Sequence, residues 1–167
     1  KDAAYTGLPY SESNLTCSGT SAPTYRYYAD SNGAKSNQLD GAPINAGTYW
    51  VEAYASETSS TASATSQAVR FHIEKAPLCI RAKDKTITYG ETLSDNGVEI
   101  NGFVNNENET VLSGLHYAFD YAQFSDIGTY TIIPMNAQAE NYKITYENGV
   151  LTVQPKPVEI KWNSESL

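Results

Sequence analysis

The residues of this 167-residue chain with which chemistry would start are two histidines, two cysteines and a few acidic turns. His72 and His116 stand on separate strand-like segments. A zinc site needs three or four converging ligands, and no Cys/His cluster exists, so both read as surface residues. Cys17 and Cys79 fall in different parts of the chain, and either bridge them or serve as two buried thiols acting as small hydrophobes. Asp30-Ser-Asn-Gly33 and Asp95-Asn-Gly97 resemble the opening of calcium loops but lack the later oxygen ligands and the bidentate Glu, so they read as turns. Asn105-Asn-Glu-Asn-Glu109 reads as a solvated loop or helix start. An isopeptide crosslink would require Lys83 or Lys85 beside Asn141 or Asn148 and a buried acid, and nothing in the sequence buries a lysine. No nucleophile elbow or phosphate loop is present. No enzyme, cofactor or metal is expected.

One pattern suits binding rather than chemistry. In Tyr49-Trp-Val-Glu-Ala-Tyr54, side chains alternate across a strand. If Tyr49, Val51 and Ala53 face inward, Trp50, Glu52 and Tyr54 face outward. Tyr28 extends that surface from a neighbouring aromatic strand. Flat aromatics beside a carboxylate suit stacking on sugar rings or docking a protein. The alternative is that these side chains cover one another or pack against an adjoining unit.

The elements that would position them come in duplicate. Lys75-Ala-Pro-Leu-Cys-Ile80 returns as Lys156-Pro-Val-Glu-Ile160, and Asn45-Ala-Gly-Thr-Tyr-Trp-Val51 returns as Asp126-Ile-Gly-Thr-Tyr-Thr-Ile132. A period of about 80 residues is too long for a solenoid unit and fits small domains in series. Residues 1–75 and 76–155 make two units, and 156–167 read as the start of a third, with Val158-Glu-Ile-Lys-Trp162 as its first strand. Thirteen tyrosines, many Thr and Asn-Gly turns, and a lack of helical periodicity indicate an all-β fold. Glu147-Asn-Gly149 signals a hairpin. Asn106 to Gly114 allows a turn or two of helix, and Ser56 to Ser66 should be a mobile connection. In each unit a Gly-Thr-Tyr places a tyrosine, Tyr49 or Tyr130, two residues before an inward apolar residue. That is the position of the corner tyrosine in immunoglobulin-like sandwiches, with Gly47 and Gly128 easing entry into the strand. The joints Glu74-Lys-Ala-Pro77 and Gln154-Pro-Lys-Pro157 are short and proline-bearing, hence stiff.

The net charge of −8 argues against a nucleic-acid partner. No run approaches the length of a membrane span. Because the chain opens on Lys1 with no leader pattern, it is expected to be a fragment or a mature segment, with any signal peptide outside it.

Tyr89-Gly90, Gly102-Phe-Val-Asn-Asn106, Val111-Leu-Ser-Gly114, Asp126-Ile-Gly-Thr-Tyr130 and Asn141-Tyr-Lys-Ile-Thr-Tyr-Glu-Asn-Gly-Val-Leu-Thr-Val153 together resemble the bacterial MBG (YGX-type) surface domain. Tyr5-Thr-Gly7 and Gly41-Ala-Pro-Ile-Asn-Ala-Gly-Thr-Tyr49 are similar to the YDG-type and Ig-like repeats, with Thr6 where the motif has Asp. The resemblance implies tandem Ig-like sandwiches, with a β-grasp-like second unit as the alternative. It also implies a secreted or cell-surface protein of adhesin type, with no catalytic residues. The expected role is a monomeric, semi-rigid stalk whose partners are neighbouring repeats. The rival is an adhesion module contacting host glycan or protein through Tyr28, Trp50, Glu52 and Tyr54.

Overall fold

The computed structural model of the chain describes residues 2–12, 22–94 and 97–162. Segments rich in Tyr, Thr, Val and Ile, with period-two alternation, form the strands. In chain order these are β1 (Ala3–Ala4), β2 (Thr24–Ser31), β3 (Ala34–Gln38), β4 (Gly47–Ala55), β5 (Ala64–Thr65), β6 (Val69–Glu74), β7 (Ala76–Ala82), β8 (Lys85–Thr88), β9 (Val98–Asn101), β10 (His116–Phe119), β11 (Gly128–Met135), β12 (Tyr142–Glu147) and β13 (Gly149–Gln154). The fold is all-β. Where the sequence allowed a short helix, there is only a 3-10 turn at Glu109–Val111.

Contacts group the chain into two compact units. The first comprises Lys1–Leu78 with Gly102–Val111 and Ala139–Lys143, and the second Cys79–Asn101, Leu112–Gln138 and Ile144–Leu167. In the first unit a single sheet is described, ordered β1-β6-β4-β2-β3, with β5 added to β4. Asn32 and Gly33, both at positive φ, turn β2 into β3, and the Asp30 carboxylate accepts the Gly33 N–H at 3.0 Å. Strand alternation gives this sheet two unlike faces. One carries Tyr27, Tyr49, Val51, Ala53, Phe71 and Ile73, and Tyr10 stacks on Phe71 at 4.2 Å to cover it. The other carries Arg26, Tyr28, Asp30, Trp50, Glu52, Tyr54 and Arg70. The stretch from Ser56 to Ser66 is more structured than its composition suggested. Ala64–Thr65 pair with Tyr54–Ala55, and Ser66 Oγ accepts the Ala53 N–H at 2.9 Å.

Two further sheets are formed, β10-β11-β13-β8 and β12-β7-β9. In the second unit Ala82, at the end of β7, is buried with Ile87, Ile132, Leu151 and Val153 of the four-stranded sheet. The core therefore lies between two sheets, as in a β-sandwich. The expected hairpin at Glu147-Asn-Gly149 is not one, because β12 and β13 belong to different sheets. Gly149 serves close packing instead: a Cβ there would lie 2.7 Å from the Ala82 carbonyl oxygen. Residues 155–162 form no strand, contrary to the reading of Val158–Trp162, and Val158, Ile160 and Trp162 are almost fully exposed. Only Lys75 separates β6 from β7. Among the described residues, no helix is long and apolar enough to cross a membrane.

Candidate functional site

The polar face of the first sheet is built by cross-strand register. Pairing of β2 with β4 sets Arg26 opposite Glu52 and Tyr28 opposite Trp50, while β6 brings Arg70 opposite Trp50. β3, paired to β2, adds Lys35. Tyr28, Trp50, Glu52 and Tyr54 are thus on one face, but they do not form the open aromatic surface expected of them. Tyr28 is 9% exposed and Glu52 only 7%. The Tyr28 hydroxyl donates a short hydrogen bond to Glu52 Oε1, and the Lys35 ammonium donates to Oε2 at 2.7 Å. Lys35 also sits 4.2 Å over the Tyr28 ring, and Arg26 3.7 Å over the ring of Tyr54. Trp50 and Tyr54 are half-buried. The physical reason is that long cationic side chains lie along the rings beside them and bury the carboxylate.

A second hub lies on the same face. Asp30 Oδ1 accepts from Trp50 Nε1 at 2.8 Å and from Arg70 Nε at 2.8 Å, and Oδ2 accepts from Arg70 Nη2 at 3.2 Å. Hydrogen bonds from Arg70 and from the Gly33 N–H hold the Asp30 carboxyl down at about 2. The bonds from Lys35 and Tyr28 lower Glu52, and the same bond to Glu52, together with burial, raises the Tyr28 phenol. All of these shifts favour the charge states drawn here at neutral pH. The face is a closed network of two anions, their cations and three rings.

The tyrosines of the two Gly-Thr-Tyr segments share one geometry. Tyr49 donates its hydroxyl to the Asn45 carbonyl at 3.0 Å, and Tyr130 to the Asp126 carbonyl at 2.8 Å, each four residues upstream. Gly47 and Gly128 hold φ of 156° and 154°, a backbone that other residues rarely adopt. At Gly47 a Cβ would also come within 3.2 Å of the Tyr49 hydroxyl.

A third cluster lies within the first compact unit. The buried phenols of Tyr5 and Tyr142 each donate to a different oxygen of Glu107. Asn141 accepts the Ala46 N–H at 2.9 Å and donates to Asn45 Oδ1 at 3.1 Å. Burial and then the bond to Glu107 raise Tyr5 to about 12, and the same causes raise Tyr142. Sequence reading had missed this cluster and the Asp30 hub, since its partners are far apart in the chain.

The remaining candidates are dispersed. The His72 ring shares a 2.9 Å hydrogen bond with Thr48, and His116 is exposed on β10. Among the described residues, no three His, Cys, Asp or Glu side chains converge as a metal site would need. Cys79 is a free thiol, while Cys17 and Asp95-Asn96 lie outside the described residues. Lys85 donates to Ser94, and the Asn141 amide is engaged as above, which leaves neither poised for an isopeptide bond.

Residues 78–152, from within β7 to within β13, match the family model of the MBG domain (YGX type). The chain matches no curated protein. A solved structure described as "Structures of Clostridium thermocellum CbhA fibronectin(III)-like modules" is similar at 13% identity over 91% of this chain and 88% of that one. Its TM-score is 0.31, a level at which the likeness carries no argument.

Proposed function

We propose that this chain is a non-catalytic segment of serial β-domains from a bacterial cell-surface or secreted protein, and that it acts as a semi-rigid spacer. The MBG match supports the surface-module part of the reading. The observation that carries the spacer part is the closure of the first unit's polar face. The groups best suited to hold a ligand, Glu52, Asp30, Arg70 and Lys35, are spent on one another. Ordering such groups internally removes the dangling hydrogen-bonding capacity a ligand would use.

The rival reading, direct binding of glycan or host protein, draws on Trp50 and Tyr54 remaining half-exposed. One experiment separates the two. The chain and its Trp50→Ala variant are applied to an array of host and microbial glycans and to matrix proteins. The spacer reading expects no specific binding by either; binding by the chain that the substitution abolishes overturns it in favour of the adhesion module.

A further inference from the structure

Strand order and pairing register match residue by residue along four strands of each repeat. The order β1-β6-β4-β2 in the first matches β8-β13-β11-β10 in the second. Tyr5 donates its backbone N–H to the carbonyl of Glu74, the last residue of β6, at 2.8 Å. Tyr89 donates its own to Gln154, the last residue of β13, at 2.9 Å. The corner hydroxyls equate Asn45 with Asp126, and therefore Ala46 with Ile127.

These equivalent positions differ sharply in exposure. Tyr5 is 4% exposed, capped by Glu107 and set edge-on to Tyr142 at 5.6 Å. Ala46 and Asn45 are bonded to Asn141, and the Gly7 carbonyl accepts from Asn105 at 2.9 Å. In the second repeat, Tyr89 is 39% exposed, Ile127 57% and Phe124 64%. Tyr89 and Phe124 meet edge to face at 6.3 Å. Phe124 holds φ of 70°, a conformation bulky residues rarely take, and there it presents an aromatic ring to water. Large apolar side chains exposed together, as Tyr89 and Phe124 are, mark a contact surface.

We propose that the patch of Tyr89, Phe124, Asp126 and Ile127 is the seat of a further unit of the kind matched at residues 78–152. That unit covers the patch with the counterparts of Asn105, Glu107, Asn141 and Tyr142. The proposal rests on the serial-domain reading given above. Chemistry fits the occupant. A carboxylate at the Glu107 position accepts the Tyr89 phenol, and an amide at the Asn141 position accepts the Ile127 N–H and donates to Asp126. The chain itself leads there. Lys156 lines the same cleft, of about 310 Å³, as Tyr89, Gly90 and Phe124. Beyond it, Pro157, Val158, Ile160 and Trp162 repeat the alternation of Pro77, Leu78, Ile80 and Ala82. Leu78, Ile80 and Ala82 are 1%, 0% and 0% exposed, whereas Val158, Ile160 and Trp162 are 85%, 94% and 99% exposed. This is the side-chain pattern of a leading β-strand on a segment that pairs with no sheet.

The test compares backbone hydrogen exchange in the chain as it stands with the same chain extended from Pro157 by a second copy of residues 78–155. Slowing of about tenfold or more at residues 89–90 and 124–127 is expected on extension, and Tyr89→Ala with Phe124→Ala should reverse it. Unchanged exchange at those residues beside a protected second copy overturns the proposal while leaving the spacer reading intact. That reading falls only to ligand binding in the array experiment. A check needs no extension: in the chain itself, Tyr5→Ala with Asn45→Ala should speed exchange at residues 104–107 and 141–142. If it does not, these positions do not form a seat in the first repeat, and the proposal fails for the second.

Discussion

Matching β1-β6-β4-β2 to β8-β13-β11-β10 strand by strand shows two ways of finishing one sheet. On the core face, Val51, Phe71 and Ile73 correspond to Ile132, Leu151 and Val153. The second unit closes its aliphatic set against Ala82 from another sheet. The first uses larger rings, with Tyr10 stacked on Phe71 and Tyr27 edge-on to both. On the opposite face the units diverge further. Thr48, Trp50, Glu52, Arg70 and His72 stand where the second unit has Thr129, Thr131, Ile133, Val150 and Thr152. An aromatic ring spans more depth than a branched aliphatic, so Tyr10, Tyr27 and Phe71 fill by ring size what the second unit fills with aliphatic side chains. The charged face is a separate feature: Glu52 and Arg70 stand where the second unit has Ile133 and Val150, with the register unaltered.

The sharpest test of the core comparison is to truncate equivalent residues. Leu151→Ala should cost about 2–5 kcal/mol and Phe71→Ala about 3–5 kcal/mol, since both side chains are almost wholly buried. Chemical denaturation followed by hydrogen exchange would measure each loss and locate it. Phe71→Ala should loosen β1, β4 and β6, and Leu151→Ala should loosen β8, β11 and β13. Equal loosening of all strands by either substitution would mean that the two cores act as one.

The opposite faces should respond unequally. Glu52→Ala leaves the buried Tyr28 hydroxyl and the Lys35 ammonium without their acceptor, at a cost of about 1–3 kcal/mol. Thr131→Ala on the matching face should stay within about 0.5 kcal/mol. Denaturant midpoints of the two variants decide the point. Similar values would show that the ion-paired face contributes no more to folding than the threonine one, and would strengthen the binding reading.

The corners should respond alike. Tyr49→Phe and Tyr130→Phe each remove one solvent-accessible hydroxyl bond, so each should cost about 0.5–1.5 kcal/mol in a denaturant melt. A cost in one and none in the other would break the equivalence on which the residue matching depends.

How much of this was legible in the sequence follows from chain separation. The Gly-Thr-Tyr corners and the all-β class were readable because their signals are local: alternation and turn residues. The Glu147-Asn-Gly149 segment misled, because Asn-Gly marks both hairpin turns and places where backbones approach closely, and Gly149 serves the second purpose. Tyr28, Trp50, Glu52 and Tyr54 were assigned to the correct face by alternation, yet alternation says nothing of what lies over a face. Arg26 and Lys35 cover two of those rings, and Lys35 arrives from β3, whose register depends on an irregularity between Tyr28 and Asp30. The clamp on Glu107 joins residues about a hundred positions apart, beyond the reach of any local pattern.

The smallest expected effect concerns acid and the charged face of the first unit. Asp30 is held at about 2 against an ordinary 3.8, because Arg70 and the Gly33 N–H bond its charged form. A depressed carboxyl contributes stability that is fully present above the ordinary value and is lost as pH falls through the folded one. The first unit should therefore lose this increment between roughly pH 4 and pH 2. The Arg70 side of the pair is half-open to water, so salt should shrink the effect. Acid unfolding of the chain and of Asp30→Asn, followed by Trp50 fluorescence at low and high salt, would measure it. The variant should unfold with a shallower acid dependence, and the difference should fade as salt is raised. Identical acid profiles would mean that Asp30 orients Trp50 and Arg70 without contributing to the stability of the sheet they sit on.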